Sequence, residues 1–133
     1  MVSLNAVYAR ISRNKIEPIA GEIFVHRDSV LETIPEVREY KDQQILFGLK
    51  NGDRQWTVIS VNYIYSKIDG ELSVFQIDDD HGKLWDYFSN NDFSDLVKFE
   101  DGRVLWLGSS SVCQLILNLT LLLERVPCGT VLD

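Results

Sequence analysis

The sequence predicts an α+β fold, with a mainly antiparallel sheet of about five or six strands, a C-terminal helix covering it and one further short helix. Two features lead to this prediction: strand-forming runs joined by tight turns in the middle of the chain, and a long apolar helical pattern near its end. The chain has 133 residues, of which 45% are hydrophobic and 25% are charged, as is usual for a globular protein. A single domain, residues 1–133, is therefore expected.

The middle of the chain carries the strongest strand signals. We predict strands at Gln44–Lys50, Gln55–Ile68 and Glu71–Ile77 because these runs are rich in β-branched and aromatic residues. Asn51–Gly52 and Asp69–Gly70 lie between them, and both dipeptides favour the tight turns of β-hairpins. Gln55–Ile68 has apolar residues on both faces, which is typical of a central strand. Together these runs predict an antiparallel meander.

Other elements are predicted from weaker patterns. Val2–Ile11 alternates in part and is expected to be a strand, whereas Ile16–Val25 suits an edge strand or a loop. Asp28–Tyr40 has a helical spacing of apolar residues that Pro35 interrupts, so it predicts a short helix or one that restarts at the proline. Arg103–Leu107 is expected to be a strand that leads into the last helix.

The C-terminal helix is predicted over Ser109–Val126, where apolar residues recur at spacings of three and four. Ser109 or Ser110 can cap its first turn, and Pro127 and Gly129 end it. The apolar run is shorter than the stretch of about 20 residues that spans a membrane, so we expect a buried core helix. Its excess apolar surface leaves two states open, a monomer or a homodimer formed through this helix.

The net charge of −7 comes from one segment. Asp69–Asp101 holds ten acidic and two basic residues, a balance of −8, so the rest of the chain carries +1. Such a field repels nucleic acid and attracts a basic partner. Within it, Asp78–Asp101 is expected to be an acidic connection, with Lys83–Phe88 as one helical turn or a short strand; Phe93–Phe99 fits no single element.

No motif in the sequence points to catalysis, a cofactor or a bound metal. Asp78–Gly82 contains three consecutive acids and a histidine, but if Gly82 is the sixth position of a calcium loop, Ile77 falls at the first position, where an acid is needed. The serines at 109–111 lack the second glycine of a nucleophile elbow. Cys113 and Cys128 show neither a metal-binding spacing nor a disulfide framework.

The sequence therefore favours a non-catalytic protein-binding module. Its size, its acidity and its lack of site chemistry fit the general profile of a bacterial immunity protein, which binds and neutralises a basic toxin such as a nuclease. No signal peptide is visible, so a cytoplasmic location is expected. The alternatives are a secretion or assembly chaperone, and a small metal-dependent or hydrolytic enzyme.

The candidate partner-binding residues come from the acidic connection. Its carboxylates are expected to pair with lysine and arginine side chains of the partner, and its aromatic residues to supply buried anchors. The alternative is that the aromatic residues face the core while the acids face solvent. No nucleic acid, membrane or cofactor is expected as a partner. The acids are Asp78, Asp79, Asp80, Asp86, Asp92 and Asp95, and the aromatic residues are Trp85, Tyr87 and Phe88.

Overall fold

A computed structural model describes residues 2–40 and 44–133, and it has the predicted α+β fold. Five strands form an antiparallel meander in the order β1-β2-β3-β4-β5, and a short hairpin, β6-β7, forms a second sheet. The strands are β1 (Phe24–His26), β2 (Ile45–Lys50), β3 (Gln55–Ser60), β4 (Tyr63–Ile68), β5 (Glu71–Gln76), β6 (Leu96–Lys98) and β7 (Val104–Trp106).

The described residues contain more helix than the sequence predicted. The α-helices are α1 (Leu4–Arg13), α2 (Ile16–Ala20), α3 (Val30–Thr33), α4 (Ile77–Asn90) and α5 (Ser110–Leu123). Short 3₁₀ segments lie at Gly21–Ile23, Arg27–Ser29 and Pro35–Tyr40. The long helices α1 and α4 both contact α5, so the C-terminal helix lies at the centre of a helical layer.

The sheet buries both of its faces. One face joins α1, α4 and α5 in the main core, where Phe47, Ile59 and Ile64 are fully buried beside Ile116 of α5. The other face is covered by the segment that follows β1, up to Tyr40. That smaller core consists of Val25, Val30, Ile34, Val37, Trp56, Val58 and Tyr65.

The β6-β7 hairpin is attached to the main sheet by buried hydroxyl groups. Thr57 Oγ1 donates to the carbonyl oxygen of Trp106 (2.6 Å), and Ser66 Oγ accepts from the Trp106 N–H (3.1 Å). Thr57 and Ser66 also contact each other through their hydroxyl oxygens (2.9 Å). Because Thr57 has a single proton, which it gives to Trp106, Ser66 is the donor in that pair. These bonds fix β7 across β3 and β4.

The strand predicted at Val2–Ile11 was wrong, because this stretch forms helix α1. Ser3 caps the helix by accepting from the Ala6 N–H (3.1 Å), and Val7 is completely buried on its inner face. Arg10 then bonds Asn118 of α5 (Nη1 to Oδ1, 3.3 Å). The cap, the burial of Val7 and the bond to α5 together favour a helix. The alternation that suggested a strand was only partial.

The prediction of one long strand over Gln55–Ile68 was also wrong. The chain reverses within it, so that Ile59 lies opposite Ile64 in the β3-β4 hairpin. The Ser60 hydroxyl closes this turn by accepting from the Tyr63 N–H (3.0 Å) and donating to its carbonyl oxygen (2.9 Å). Apolar residues on both faces of the predicted strand therefore belong to two central strands.

Two segments before β2 differ from the predictions as well. Ile16–Val25, expected as an edge strand or a loop, contains α2, a 3₁₀ turn and the start of β1, so only its end is an edge strand. Asp28–Tyr40 is divided at Pro35 into α3 and a 3₁₀ segment. The division at Pro35 agrees with the restart that the proline predicted.

Candidate functional site

The acidic connection is largely helix α4, which begins directly after β5. Lys83–Phe88, predicted as one helical turn or a short strand, lies in the middle of this 14-residue helix. Asp78, Asp79 and Asp80 lie in its first turn, where negative charge is favoured by the helix dipole. The ambiguous stretch Phe93–Phe99 contains the short strand β6.

Asp80 is held inside the fold by Arg103 of the β6-β7 hairpin. Its two carboxylate oxygens accept from Arg103 Nη1 and Nη2, both at 2.9 Å, and one also accepts from the Gln76 N–H at 2.9 Å. Burial opposes ionisation, but these hydrogen bonds and the guanidinium charge outweigh it and lower the pKa of Asp80. Asp80 is only 6% exposed, so little of it remains for a partner.

Arg103 also protects the open edge of β5. Its Nη1 donates to the Val74 carbonyl oxygen (3.0 Å), and its guanidinium lies 4.5 Å from the centre of the Phe75 ring. Leu72 and Val74 on this edge strand are 42% and 38% exposed. The Asp80–Arg103 pair therefore covers the edge of β5, where a further strand could otherwise pair with the sheet.

Asp78, although exposed, binds the C-terminal segment. Its carboxylate accepts from the Cys128 N–H (2.9 Å) and from Gln76 Nε2 (2.8 Å). Asp79 and Asp86 are exposed on α4 and have no side-chain hydrogen bond or ion pair among the described residues. The four carboxylates of α4 thus fall into two groups. Asp78 and Asp80 bind other parts of the protein, whereas Asp79 and Asp86 face solvent.

Trp85 is part of a hydrogen-bonded chain that joins α4 to the end of α5. Its Nε1–H donates to His81 Nε2 (2.6 Å), and His81 Nδ1 lies 2.6 Å from Glu124 Oε2. Because the indole nitrogen only donates, His81 Nε2 accepts and the imidazole proton lies on Nδ1, facing Glu124. Both ring nitrogens of His81 are therefore occupied by internal partners.

Tyr87 and Phe88 are half-buried in an aromatic cluster. Their rings meet edge to face with centres 5.0 Å apart, and Phe88 stacks on the exposed Phe93 at 5.0 Å. Tyr87 also lies 6.4 Å from Phe99, which contacts the core residue Phe75. Each ring has one side against the protein and part of its surface in solvent.

An open groove lies between α4 and the turn of the β6-β7 hairpin. It has a volume of about 630 Å³. Tyr87 and Phe99 supply its aromatic surface, and Asp86 and Glu100 contribute exposed carboxylates. The full lining is Lys83, Asp86, Tyr87, Asn90, Asn91, Lys98, Phe99, Glu100 and Asp101, and we call it the acidic groove.

Two of the charges in the acidic groove are already paired. Lys83 Nζ lies 3.7 Å from Asp80 Oδ1, and Asp101 accepts from Arg103 (Nε to Oδ2, 2.9 Å). Hydrogen bonds from Arg103 lower the pKa of Asp101. Among residues 2–40 and 44–133, Asp86, Glu100 and Lys98 form no ion pair, so the groove has one more free carboxylate than free ammonium groups and is negative.

The structure brings only some of the predicted residues together. Asp86 and Tyr87 line the acidic groove, and Phe88 packs beside Tyr87. Asp92 and Asp95 are exposed in the loop after α4. The predicted partner-binding residues did not include Phe99 and Glu100, although both belong to the acidic connection Asp78–Asp101 and Glu100 contributes to its negative charge.

Among residues 2–40 and 44–133, no three histidine, cysteine or carboxylate side chains are arranged to hold a metal ion. Within the same ranges, no helix combines the length and the apolar character needed to cross a membrane. Comparison with family models, with curated proteins and with solved structures finds no match for this chain. Any functional proposal therefore depends on the chain's own residues.

Proposed function

We propose that this protein is a non-catalytic binding module that recognises a basic protein through the acidic groove. One observation carries the proposal: a concave surface that combines half-buried aromatic rings with exposed carboxylates lies within the segment that holds the whole acidic excess. Aromatic anchors surrounded by polar residues are common at the centres of protein interfaces.

The charge of the segment suits recognition of lysine and arginine. A balance of −8 over Asp69–Asp101 attracts a cationic protein over long range and accelerates its approach. In the groove itself, Asp86 and Glu100 are available as ion-pair acceptors, and the half-buried ring of Tyr87 can contact a guanidinium group of the partner. Such contacts weaken as salt concentration rises.

The proposed surface differs from the one that the sequence suggested. It keeps Asp86 and Tyr87 and adds Phe99 and Glu100, whereas Phe88 lies outside the groove and packs beside Tyr87. Asp79, Asp92 and Asp95 remain as exposed charges that add to the field. Asp80 is left out because it is buried against Arg103, and Asp78 and Trp85 have bonding partners within the chain.

Among basic partners, we favour a toxin domain such as a nuclease, with this chain as its bacterial immunity protein. A nuclease binds a polyanion, so an acidic inhibitor can occupy the same basic surface. Such an inhibitor acts in the cytoplasm, where the free thiols of Cys113 and Cys128 are stable.

The other roles have less support in the geometry. A chaperone needs a continuous apolar groove, but apart from Leu72 and Val74, which share β5, the exposed large apolar residues of the described ranges lie on separate elements: Ile19, Leu31, Phe93, Leu121 and Val131. The apolar residues of α5 are mostly buried within the chain, so we do not include a homodimer in the proposal. For an enzyme, Asp80 and His81 would have to leave their internal partners.

A rescue selection tests this function. Cells expressing the chain receive a library of genomic fragments from the source organism, and fragments that form colonies only in these cells encode the toxin. We expect at least one such fragment to encode a basic domain. The purified domain should lose its activity when the chain is added in an equimolar amount.

A matched pair of variants connects the rescue to the groove. Asp86→Lys with Glu100→Lys reverses two groove charges, and Glu32→Lys with Glu39→Lys makes the same charge change outside the groove, on exposed residues. We expect the first pair to lose protection and the second to keep it. Equal protection by both pairs, or no fragment that depends on the chain, contradicts the proposal.

A further inference from the structure

A second concave site lies at the other edge of the sheet from α4. It is a pocket of about 330 Å³ where the end of α1 and helix α2 meet β1 and β2. Its volume is near the lower end of the range of small-molecule sites, about 300–1,000 Å³. It shares no lining residue with the acidic groove, so the two sites are independent.

Five apolar or aromatic residues line this pocket: Pro18 of α2, and four others that belong to the main core or pack against it. Tyr8 and Ile11 come from the inner face of α1, Phe24 comes from β1 and Leu46 from β2. All of them are packed against or within the main core, so the walls are fixed by the fold. A surface of this kind accommodates a ring or a short apolar chain.

The polar groups of the pocket are mostly hydrogen-bond donors. Lys15, Arg27 and Ser12 contribute an ammonium, a guanidinium and a hydroxyl group, and Glu17 is the one carboxylate in the lining. His26 adds an imidazole whose Nδ1 lies 3.5 Å from Asp28 Oδ2. The lining thus has an excess of positive charge in a protein whose net charge is −7.

The Arg27 guanidinium is held in place by an aromatic ring, and neither cation of the pocket is neutralised by an ion pair within the described residues. The Arg27 guanidinium lies over the Tyr8 ring, 4.3 Å from its centre. Lys15 lies in the turn between α1 and α2 with a φ of 56°, a conformation that side-chain-bearing residues seldom adopt. Neither forms an ion pair with a carboxylate of residues 2–40 or 44–133.

We propose that this pocket binds a small organic anion, a carboxylate or phosphate group attached to an apolar ring or chain. The anionic group lies between Lys15 and Arg27, which donate charge-assisted hydrogen bonds to it. The apolar part lies against Tyr8 and Phe24. The negative charge of Glu17 repels the anionic group and so lowers the affinity of the pocket for it.

Titration of the isotope-labelled protein followed by NMR tests the proposal. The probes are benzoate, phenyl phosphate, inorganic phosphate and benzylamine, which has a similar ring and the opposite charge. We expect benzoate or phenyl phosphate to shift the backbone signals of residues 12–17 and 24–27 in a saturable manner. Benzylamine should leave them unchanged, and inorganic phosphate should bind more weakly than phenyl phosphate because it lacks the ring.

Three variants assign the binding to the named side chains. Lys15→Gln and Arg27→Gln are each expected to weaken binding about tenfold or more, because each removes a hydrogen bond from a charged group. Glu17→Gln is expected to tighten it by removing a repelling charge. Arg54→Gln, an exposed arginine outside this pocket, is the matched control and should leave binding unchanged.

Several results would overturn the proposal. One is the absence of a saturable shift with either organic anion at concentrations high enough to detect a ligand with a millimolar dissociation constant. Equal binding of benzylamine and benzoate would exclude recognition of charge, and equal binding of inorganic and phenyl phosphate would exclude recognition of the ring. None of these results bears on the acidic groove, so this proposal can fail while the proposed function holds.

Discussion

Replacing Asp80 by asparagine tests whether this acid belongs to the fold. Asp80 accepts three hydrogen bonds, two from Arg103 and one from the Gln76 N–H, and only 6% of it is exposed. The substitution keeps the size of the side chain but removes its charge, which leaves the Arg103 guanidinium without its buried partner. We therefore expect Asp80→Asn to lower the free energy of unfolding.

The expected loss is smaller than that for a fully buried ion pair. Removing one partner of such a pair costs about 3–5 kcal/mol. The Arg103 side chain is 24% exposed and keeps its bonds to Asp101 and to the Val74 carbonyl oxygen. Water and these acceptors offset part of the cost, so we expect Asp80→Asn to lower the free energy of unfolding by about 2–3 kcal/mol.

Urea unfolding followed by tryptophan fluorescence measures this loss. The midpoint should fall while the m-value stays the same, which indicates a change in stability alone. Asp101→Asn is the matched control, since Asp101 bonds the same arginine from an exposed position, and it should cost much less. An unchanged midpoint for Asp80→Asn, or equal losses for both variants, would refute the reasoning.

The same variant carries a pH prediction. The folded protein lowers the pKa of Asp80 below its usual value of 3.8, so the pair stabilises the fold at pH values above that value. This stabilisation is lost as the pH falls through the lower pKa of the folded state. The stability difference between the wild type and Asp80→Asn should therefore be full at neutral pH and shrink in acid; a difference that grows in acid would contradict it.

The remaining predictions concern buried groups. Thr57→Val should destabilise the fold by about 1–3 kcal/mol in urea, because it leaves the Trp106 carbonyl oxygen without its donor, while exposed Ser89→Ala should not. Cys128 should react with a thiol reagent in the native protein and Cys113 only after unfolding, since burial raises the pKa of Cys113 to about 12. Burial also raises the pKa of Tyr65 to about 12, so native stability should fall between pH 10 and 12, and less so in Tyr65→Phe.

Each of these predictions has an outcome that contradicts it. A Thr57→Val variant as stable as the wild type would exclude the buried hydroxyl as the attachment of β7. Rapid labelling of both thiols in the native protein would show that Cys113 is accessible. A Tyr65→Phe variant with the same alkaline loss as the wild type would assign that loss to other groups.

The meander could be predicted because its turns have local signals. Asp69 and Gly70 have φ values of 50° and 87°, the left-handed conformation that an Asp-Gly hairpin turn requires. The β3-β4 turn has no glycine and is closed by the Ser60 hydroxyl. The strand pattern of the sequence therefore shows no break there, and one long strand was predicted. The prediction was accurate where the turn was encoded by backbone preference and failed where a side chain closed it.

Two of the helices that the sequence did not predict, α1 and α4, show how tertiary contacts decide between patterns. In α1, Leu4, Val7 and Ile11 are spaced for a helix, but the stretch also alternates in part. In α4, Ile77 and Leu84 are buried seven residues apart and hold the helix to the core, although three acids and a glycine near its start resemble a loop. Packing against α5 stabilises the helix in both cases. The local sequence carries no sign of this long-range contact.

Part of the candidate site was predictable and part was not. The charge of Asp69–Asp101 is a property of composition, and the exposed Asp86 follows from it. The burial of Asp80 depends on Arg103, which lies 23 residues further along the chain and meets it only in the fold. Phe99 and Glu100 belong to the groove because the β6-β7 turn folds beside α4.

The rate of association with the basic partner tests the central claim most directly. Stopped-flow mixing at low and at physiological salt compares the wild type with the groove pair, Asp86→Lys with Glu100→Lys, and with the control pair, Glu32→Lys with Glu39→Lys. The acidic groove predicts that the wild type slows steeply with salt and that the groove pair associates about tenfold more slowly or worse, with the control pair close to the wild type. Equal rates for the two pairs, or a wild-type rate that does not change with salt, would contradict recognition through the acidic groove.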